Sequence, residues 1–211
     1  MTDRQTPTVV VLDYGSGNLR SAERAVARTG VDVSVTDDLD AAAAADGLVV
    51  PGVGAYAACM AGIEALGAGP VIAERVAAGR PVLGICVGMQ ILFASGEEHG
   101  VVTKGLGLLP GAVTKLSARR VPHMGWNTVD VPAGSRLLAG MPAESRFYFV
   151  HSYAASDLDA LSAAGATVTT CAHDEPFAAV VEHGALSAAQ FHPEKSADTG
   201  AALLRNWVSG L

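Results

Sequence analysis

The stretch Arg80-Pro81-Val82-Leu83-Gly84-Ile85-Cys86-Val87-Gly88-Met89-Gln90-Ile91-Leu92-Phe93 decides how this chain is read. Val82 to Ile85 is a short apolar run of the kind a buried strand shows. Helical spacing through Met89, Leu92 and Phe93 follows it, so the segment reads as a strand turning sharply into a helix. Gly84 and Gly88 flank the turn, where close strand-to-helix contact leaves little room for a Cβ. This is the pattern of a nucleophile elbow with Cys86 at its apex. At a helix N-terminus, unpaired N–H groups and the helix dipole favour a thiolate, which can lower a cysteine pKa from about 8.5 to roughly 3.5–7.5. A small core cysteine at the end of a strand fits the same pattern, so the rest of the chain must discriminate.

Upstream, Val9 to Leu12 is an apolar run followed by Asp13-Tyr14-Gly15-Ser16-Gly17-Asn18, and Leu19, Ala22, Val26 and Ala27 then recur at helical spacing. A strand at Val31, Val33 and Val35, an alanine-rich helix over Leu39 to Ala45 and a strand from Gly47 to Val50 continue the alternation. Tyr56 to Leu66 and Val71 to Ala78 read as helices. Strand and helix in alternation imply a mainly parallel sheet covered on both faces. The Gly-x-Gly at Gly15 to Gly17 lacks the third glycine of a dinucleotide fingerprint, so no cofactor is expected.

Downstream, the reading changes. Glu97-Glu98-His99-Gly100 closes the elbow helix. Short alternating runs follow at Val113 to Leu116, Thr128 to Val131, Phe147 to Val150, Thr167 to Cys171, Ala178 to Val181 and Leu186 to Phe191. These predict antiparallel strands in the C-terminal half. A final helix over Thr199 to Val208, capped by Ser196 or Asp198, turns Ala202, Leu203 and Trp207 inward. The expected fold is α/β, an open, mixed, mainly parallel sheet flanked by helices.

With 211 residues, half of them apolar, the chain suits a single domain spanning 1–211. The polar start, Met1 to Thr8, is not expected to act as a secretion signal. No apolar run reaches the roughly 18 residues of a membrane span. A soluble, cytoplasmic protein is expected. Cys59, Cys86 and Cys171 are too few and too scattered for a disulfide framework or a paired metal knuckle, which fits a reducing compartment. A net charge of −7 with 14 Lys and Arg argues against nucleic acid as a partner.

Two further segments carry chemistry. Pro51-Gly52-Val53-Gly54 lies just past a strand's C-terminal end, where open α/β sheets bind ligands, and its glycines let N–H groups point into a cleft. Near the other end, His192-Pro193-Glu194 places a base and a carboxylate two residues apart. In extended backbone both face the same side, with Pro193 stiffening the link. A cysteine nucleophile requires such a base, oriented by a third group.

Taken together, Gly84-Ile85-Cys86-Val87-Gly88-Met89-Gln90 and His192-Pro193-Glu194 resemble the class I glutamine amidotransferases, whose triad is Cys, His and Glu in this order. Within that class, Tyr14-Gly15-Ser16-Gly17-Asn18, Pro122-His123-Met124-Gly125-Trp126-Asn127 and Phe191-His192-Pro193-Glu194-Lys195-Ser196 resemble the glutaminase subunits of imidazole glycerol phosphate synthases. The resemblance covers nearly the whole chain. It departs at Val87, where leucine is more usual, and in a slightly expanded segment from His99 to Lys104. It implies Cys86 as nucleophile, His192 as acid and base, and Glu194 as its orienter. The N–H of Val87, with one from Gly52, Val53 or Gly54, would receive the oxyanion. Gln90, Glu98, Ser152 and Tyr153 would bind glutamine. The implied partner is a (β/α)₈-barrel cyclase subunit that uses the ammonia, met through Asn18, Trp126, Tyr148 and Lys195. No metal and no cofactor are implied. The alternatives are another class I glutaminase, serving pyridoxal phosphate, anthranilate or guanylate synthesis, and a non-enzymatic α/β protein with Cys86 as a redox sensor. The Pro122 to Asn127 and Tyr14 to Asn18 stretches count against the first, and the intact Cys86, His192 and Glu194 set against the second.

Overall fold

The computed structural model describes residues 6–211, so residues 1–5 of the polar start lie outside the described residues. From the N-terminal side come β1 (Thr8–Leu12), α1 (Leu19–Ala27), β2 (Asp32–Thr36), α2 (Leu39–Ala44), β3 (Gly47–Gly52), α3 (Tyr56–Leu66) and α4 (Ala68–Ala77). The elbow segment is β4 (Val82–Cys86) and α5 (Val87–Gln90). Then follow β5 (Phe93–Glu98), β6 (Val101–Lys104), β7 (Leu109–Lys115), β8 (His123–Thr128), β9 (Arg146–His151), β10 (Tyr153–Ala155) and α6 (Leu158–Ala163). The chain finishes with β11 (Thr167–His173), β12 (Glu175–His183), β13 (Leu186–Ala189), a 3₁₀ turn (Pro193–Lys195) and α7 (Ala197–Val208).

Seven strands form the main sheet in the order β11-β12-β13-β4-β3-β1-β2. β2, β1, β3, β4 and β13 run parallel, and β12 and β11 add an antiparallel edge. The central strands are buried on both faces, as the unbroken apolar runs of β1, β3 and β4 dictate. Smaller sheets, β10-β7-β5-β6 and β8-β9, stand beside it. The mixed, mainly parallel architecture matches the expectation, including antiparallel strands in the C-terminal half.

Helix α2 shows how polar groups hold the parallel half. Asp38 caps its start, accepting from the N–H groups of Asp40 and Ala41. At its other end Arg75, only 2% exposed, donates to the carbonyls of Ala42, Ala43, Ala45, Asp46 and Pro81. Those of Ala42 to Asp46 belong to the helix end and its following turn, and one guanidinium ties them to Pro81 just before β4.

Four details differ from the sequence reading. The elbow helix is a single turn, and Phe93, read as its continuation, opens strand β5. Periodicity cannot separate a short buried strand from a buried helix. Phe93 is buried by pairing with Leu109. Glu97 and Glu98 therefore end a strand rather than cap a helix, and His99-Gly100 is a hairpin turn, both residues at positive φ. The strand expected at Thr128 to Val131 lies earlier, at His123–Thr128, leaving only a bridge between Asp130 and Thr170. Finally, α7 begins at Ala197, and the Ser196 hydroxyl, instead of capping it, donates to the His192 carbonyl and accepts from the Tyr148 N–H.

Candidate active site

Three adjacent strands of the main sheet deliver the site. Gly52, the last residue of β3, is in register with Cys86, the last of β4, and Ala189 of β13 pairs with Ile85. The segment leaving β13 therefore passes beside Cys86. All three strands end at the same edge, where parallel α/β sheets open their crevice.

Cys86 has φ 57° and ψ −114°, a conformation non-glycine residues adopt only under constraint. The constraint is packing. A Cβ on Gly88 would run into the Val50 carbonyl, and one on Gly52 into the Gly88 amide, so α5 lies directly on the end of β3. A helix of one turn has little macrodipole, and what α5 offers the sulfur is local N–H groups rather than the long-helix field inferred from sequence.

His192 has extended backbone, and its N–H donates to the Tyr148 carbonyl at 3.0 Å. Pro193–Lys195 is a 3₁₀ turn, not the continued strand expected. The turn still carries the Glu194 carboxylate onto His192 Nδ1, at 2.7 Å with both side chains buried. Burial opposes a charge on His192, but hydrogen bonds to Cys86 and Glu194 and their negative charge outweigh it and raise the imidazole to about 9. At neutral pH the ring is thus an imidazolium flanked by sulfur and carboxylate. Among the described residues Glu194 Oε2 is buried with no partner, so one carboxylate oxygen holds the ring alone.

A cavity of about 280 Å³ opens above the sulfur. Cys86, Val87, Val53, Gly54 and His192 line it, together with Gln90, Glu98, Ser152, Tyr153 and Lys195. Glu98 reaches this position from the end of β5, where its carboxylate accepts the Tyr56 N–H at 3.0 Å. Gly52 is buried behind the wall. The Val53 N–H is engaged by the Ser16 hydroxyl at 3.4 Å, and the Val53 carbonyl accepts from the same hydroxyl at 3.0 Å. In this conformation the Val53 N–H is turned to the Ser16 hydroxyl.

The remaining predicted residues sit apart from the cavity. Trp126 and Tyr148 pack edge to face, ring centres 5.9 Å apart, on β8 and β9. Trp126 is 49% exposed and its neighbour Met124 67%, an apolar patch on the surface. Asn18 occupies the N-cap position of α1 without a side-chain bond. The sequence reading missed Gln190, which is buried and directs its amide Nε2 at the Cys86 sulfur across 4.0 Å. It also missed His151, which lines the cavity. The available signal was a polar residue closing an otherwise apolar run. Among the described residues, no group of three or more His, Cys, Asp or Glu could hold a metal ion.

A cysteine nucleophile, an imidazole and an orienting carboxylate facing an amino-acid-sized cavity are what glutamine hydrolysis through a thioester requires. The family model described as glutamine amidotransferase class-I matches residues 10–210. The chain belongs to the class-I glutamine amidotransferases. Among its curated relatives in that family is "Imidazole glycerol phosphate synthase subunit HisH" of Mycobacterium bovis, 63% identical over 204 residues, which are 97% of this chain and 98% of that one. The protein of the same name from Streptomyces avermitilis is 59% identical over 207 residues, 96% of each chain. The one from Thermobifida fusca is 57% identical over 209 residues, 97% of this chain and 99% of that one. Within the class I amidotransferases this chain groups with these HisH subunits. Among solved structures, PurLQS from Thermotoga maritima superposes with a TM-score of 0.70 at 19% identity, covering 98% of this chain and 99% of that one. The fold of this amidotransferase is therefore shared far beyond detectable similarity of sequence.

Proposed function

We propose that this chain is the glutaminase subunit of an imidazole glycerol phosphate synthase, with Cys86, His192 and Glu194 as its triad. The observation that carries the reading is the buried His192–Glu194 pair set beside Cys86 under one open cavity. The sulfur, its proton held by His192, attacks the side-chain carboxamide carbon of glutamine. The oxyanion that forms is received by the Val87 N–H and by a second N–H from the Gly52 to Gly54 turn. As the C–N bond breaks, His192 gives its proton to the leaving nitrogen, which departs as ammonia and leaves a thioester on Cys86. His192 then takes a proton from water, whose oxygen attacks the thioester carbon. Glutamate leaves and the thiol is restored. Glu194 keeps Nδ1 protonated and supports the charged ring throughout. Glu98 suits the ammonium group of glutamine, and Gln90, Ser152 and Tyr153 the remainder of its amino-acid end.

Ammonia is protonated in bulk water and lost as a nucleophile, which favours direct delivery to a second active site. The occupant proposed for the Met124, Trp126 and Tyr148 face is the (β/α)₈-barrel cyclase subunit, with Asn18 and Lys195 at the margin. The cyclase would use the ammonia to form imidazole glycerol phosphate and the aminoimidazole carboxamide ribonucleotide in histidine biosynthesis, in the cytoplasm. Since Val53 now bonds Ser16, we infer that the turn rests in a slow conformation and that the partner, loaded with its nucleotide, favours the productive one. Mass spectrometry after exposure to the glutamine analogue 6-diazo-5-oxo-L-norleucine is expected to find Cys86 labelled. Label spread over Cys59 and Cys171 instead would sink the triad. Equal glutamine turnover with and without the cyclase would remove the switch.

A further inference from the structure

At the cavity lies a buried pair of histidines, His151 in its lining and His123 beyond it, that glutamine hydrolysis as proposed does not use. His151 Nδ1 lies 3.0 Å from the Tyr153 carbonyl, and His151 Nε2 lies 3.0 Å from His123 Nδ1. His123 Nε2 meets the Asn127 side-chain nitrogen at 3.2 Å. That amide is fixed by its backbone partners, since Nδ2 donates to the Ala172 carbonyl and Oδ1 accepts from the Thr128 N–H.

The two ends of this chain settle every proton in it. A carbonyl only accepts, so His151 Nδ1 carries hydrogen, and an amide nitrogen only donates, so His123 Nε2 does not. His123 Nδ1 must then donate to His151 Nε2, and both rings are neutral Nδ1–H tautomers. A charge on either ring would set two N–H groups head to head. Burial first, and then the neighbouring histidines, push His123 down to about 4 and His151 to about 3, although the Tyr153 bond works the other way on His151. The titratable groups facing the pair are His173 of β11, whose ring stacks on His123 at 4.4 Å, and His192.

The Tyr153 carbonyl has a second donor, Gln90 Nε2 at 2.8 Å, and the other hydrogen of that amide goes to Gln190 Oε1 at 3.0 Å. Both lone pairs of the carbonyl and both hydrogens of the amide are therefore spent. Among the described residues, Gln90 Oε1 is the atom of that side chain left without a partner, and Gln90 lines the cavity. Gln190 in turn directs its own amide toward Cys86.

We propose that His151, oriented by His123 and Asn127, is a positioning residue for glutamine. It clamps the Tyr153 carbonyl so that Gln90 presents its oxygen, and not its NH₂, to the substrate. The role deepens the glutaminase reading and rests on it. The test compares alkylation of Cys86 in the full chain by 6-diazo-5-oxo-L-norleucine, which must fill the glutamine pocket, with alkylation by iodoacetamide, which need not. His151→Ala is expected to lower the second-order rate with the analogue about tenfold, and at least about fivefold more than the rate with iodoacetamide. His151→Asn, whose amide stands near the position of Nδ1, restores most of the loss. Nitrogen-15 NMR of the wild-type imidazoles needs no variant and is expected to find both His123 and His151 as Nδ1–H tautomers at pH 7. An Nε2–H tautomer in either ring, equal losses with both reagents, or a wild-type rate in His151→Ala would overturn the proposal. A wild-type Cys86 that the analogue fails to label overturns the glutaminase reading, and the positioning role with it, whatever the NMR reports.

Discussion

Replacing Gly88 with alanine tests whether the packing of the elbow, and not merely the presence of a thiol, makes this site. A Cβ at Gly88 would stand 2.9 Å from the Val50 carbonyl carbon and 3.0 Å from that of Pro51, and closer still to the Val50 oxygen. Carbon atoms at rest lie about 3.5–4.0 Å apart and the Val50 oxygen is a tighter obstacle still, so α5 and β3 must separate by roughly 1 Å or more. The obstacle is backbone in the centre of the main sheet, with no flexible side chain to move aside. Overpacking costs about 1–3 kcal/mol, and a rigid obstacle argues for the top of that range. At roughly 2–4 °C per kcal/mol for a chain of this size, Tm should fall by about 6–12 °C. The same displacement moves the sulfur relative to the Val53–Gly54 turn, and a misplacement near 1 Å costs on the order of a hundredfold in rate. Scanning calorimetry and glutamine hydrolysis measure the two effects. Gly54→Ala is the matched control, because its Cβ would meet nothing within 4 Å while its φ of 87° resists a side chain. That variant should lose only about 1–2 kcal/mol. The reasoning fails if Gly88→Ala melts within about 2 °C of wild type and turns over within about threefold, or if Gly54→Ala proves the less stable of the two.

Three further outcomes are expected. Stability should peak near pH 6.5, as urea titrations between pH 4.5 and 9 can check. Below pH 6.5 the unfolded histidines gain protons that folded His123 and His151 refuse, so by pH 5 about 2–4 kcal/mol is lost. Above pH 6.5 the folded state keeps the proton of His192, raised to about 9, and about 3 kcal/mol is lost as pH climbs through that value. Glu194→Gln should cut glutamine hydrolysis by about a hundredfold or more and shorten that alkaline limb, since His192 keeps Cys86 but loses the carboxylate that also supports its charge. Arg75→Met should cost about 2–4 kcal/mol in denaturant unfolding by stranding the carbonyls that end α2. Arg75→Lys should recover less than half, because one ammonium cannot reach five acceptors fanned around it.

Much of the fold was legible because it depends on patterns that survive in one dimension. The apolar runs of β1, β3 and β4 announce strands buried on both faces, and glycine at 84, 88 and 52 announces close backbone approach. Cys86, His192 and Glu194 were legible because a nucleophile, a base and an orienter must recur together. Strand β5 was not. Leu92 and Phe93 carry the spacing of a helix, and only the packing of Gly96 against the Tyr56 ring, where a Cβ would collide, reveals a strand there. Glu98 does line the cavity, but it comes from the end of β5 and not from beyond a helix. His192 and Glu194 meet through a 3₁₀ turn because Pro193 suits the first position of a helix as well as it stiffens a strand. The roles of His123, His151 and Gln190 depend on which nitrogen carries hydrogen and on a carbonyl contributed by Tyr153, and neither is written in residue type.

The order of strands also bears on synthesis of the protein. Cys86 is made about a hundred residues before the imidazole proposed to activate it, which follows β13, and β13 reaches its place only by lying alongside β4. Until β13 and the segment after it have emerged, the thiol lacks that partner. The nascent chain is thereby guarded against stray acylation and oxidation of its most sensitive atom, and reactivity arrives together with completion of the sheet.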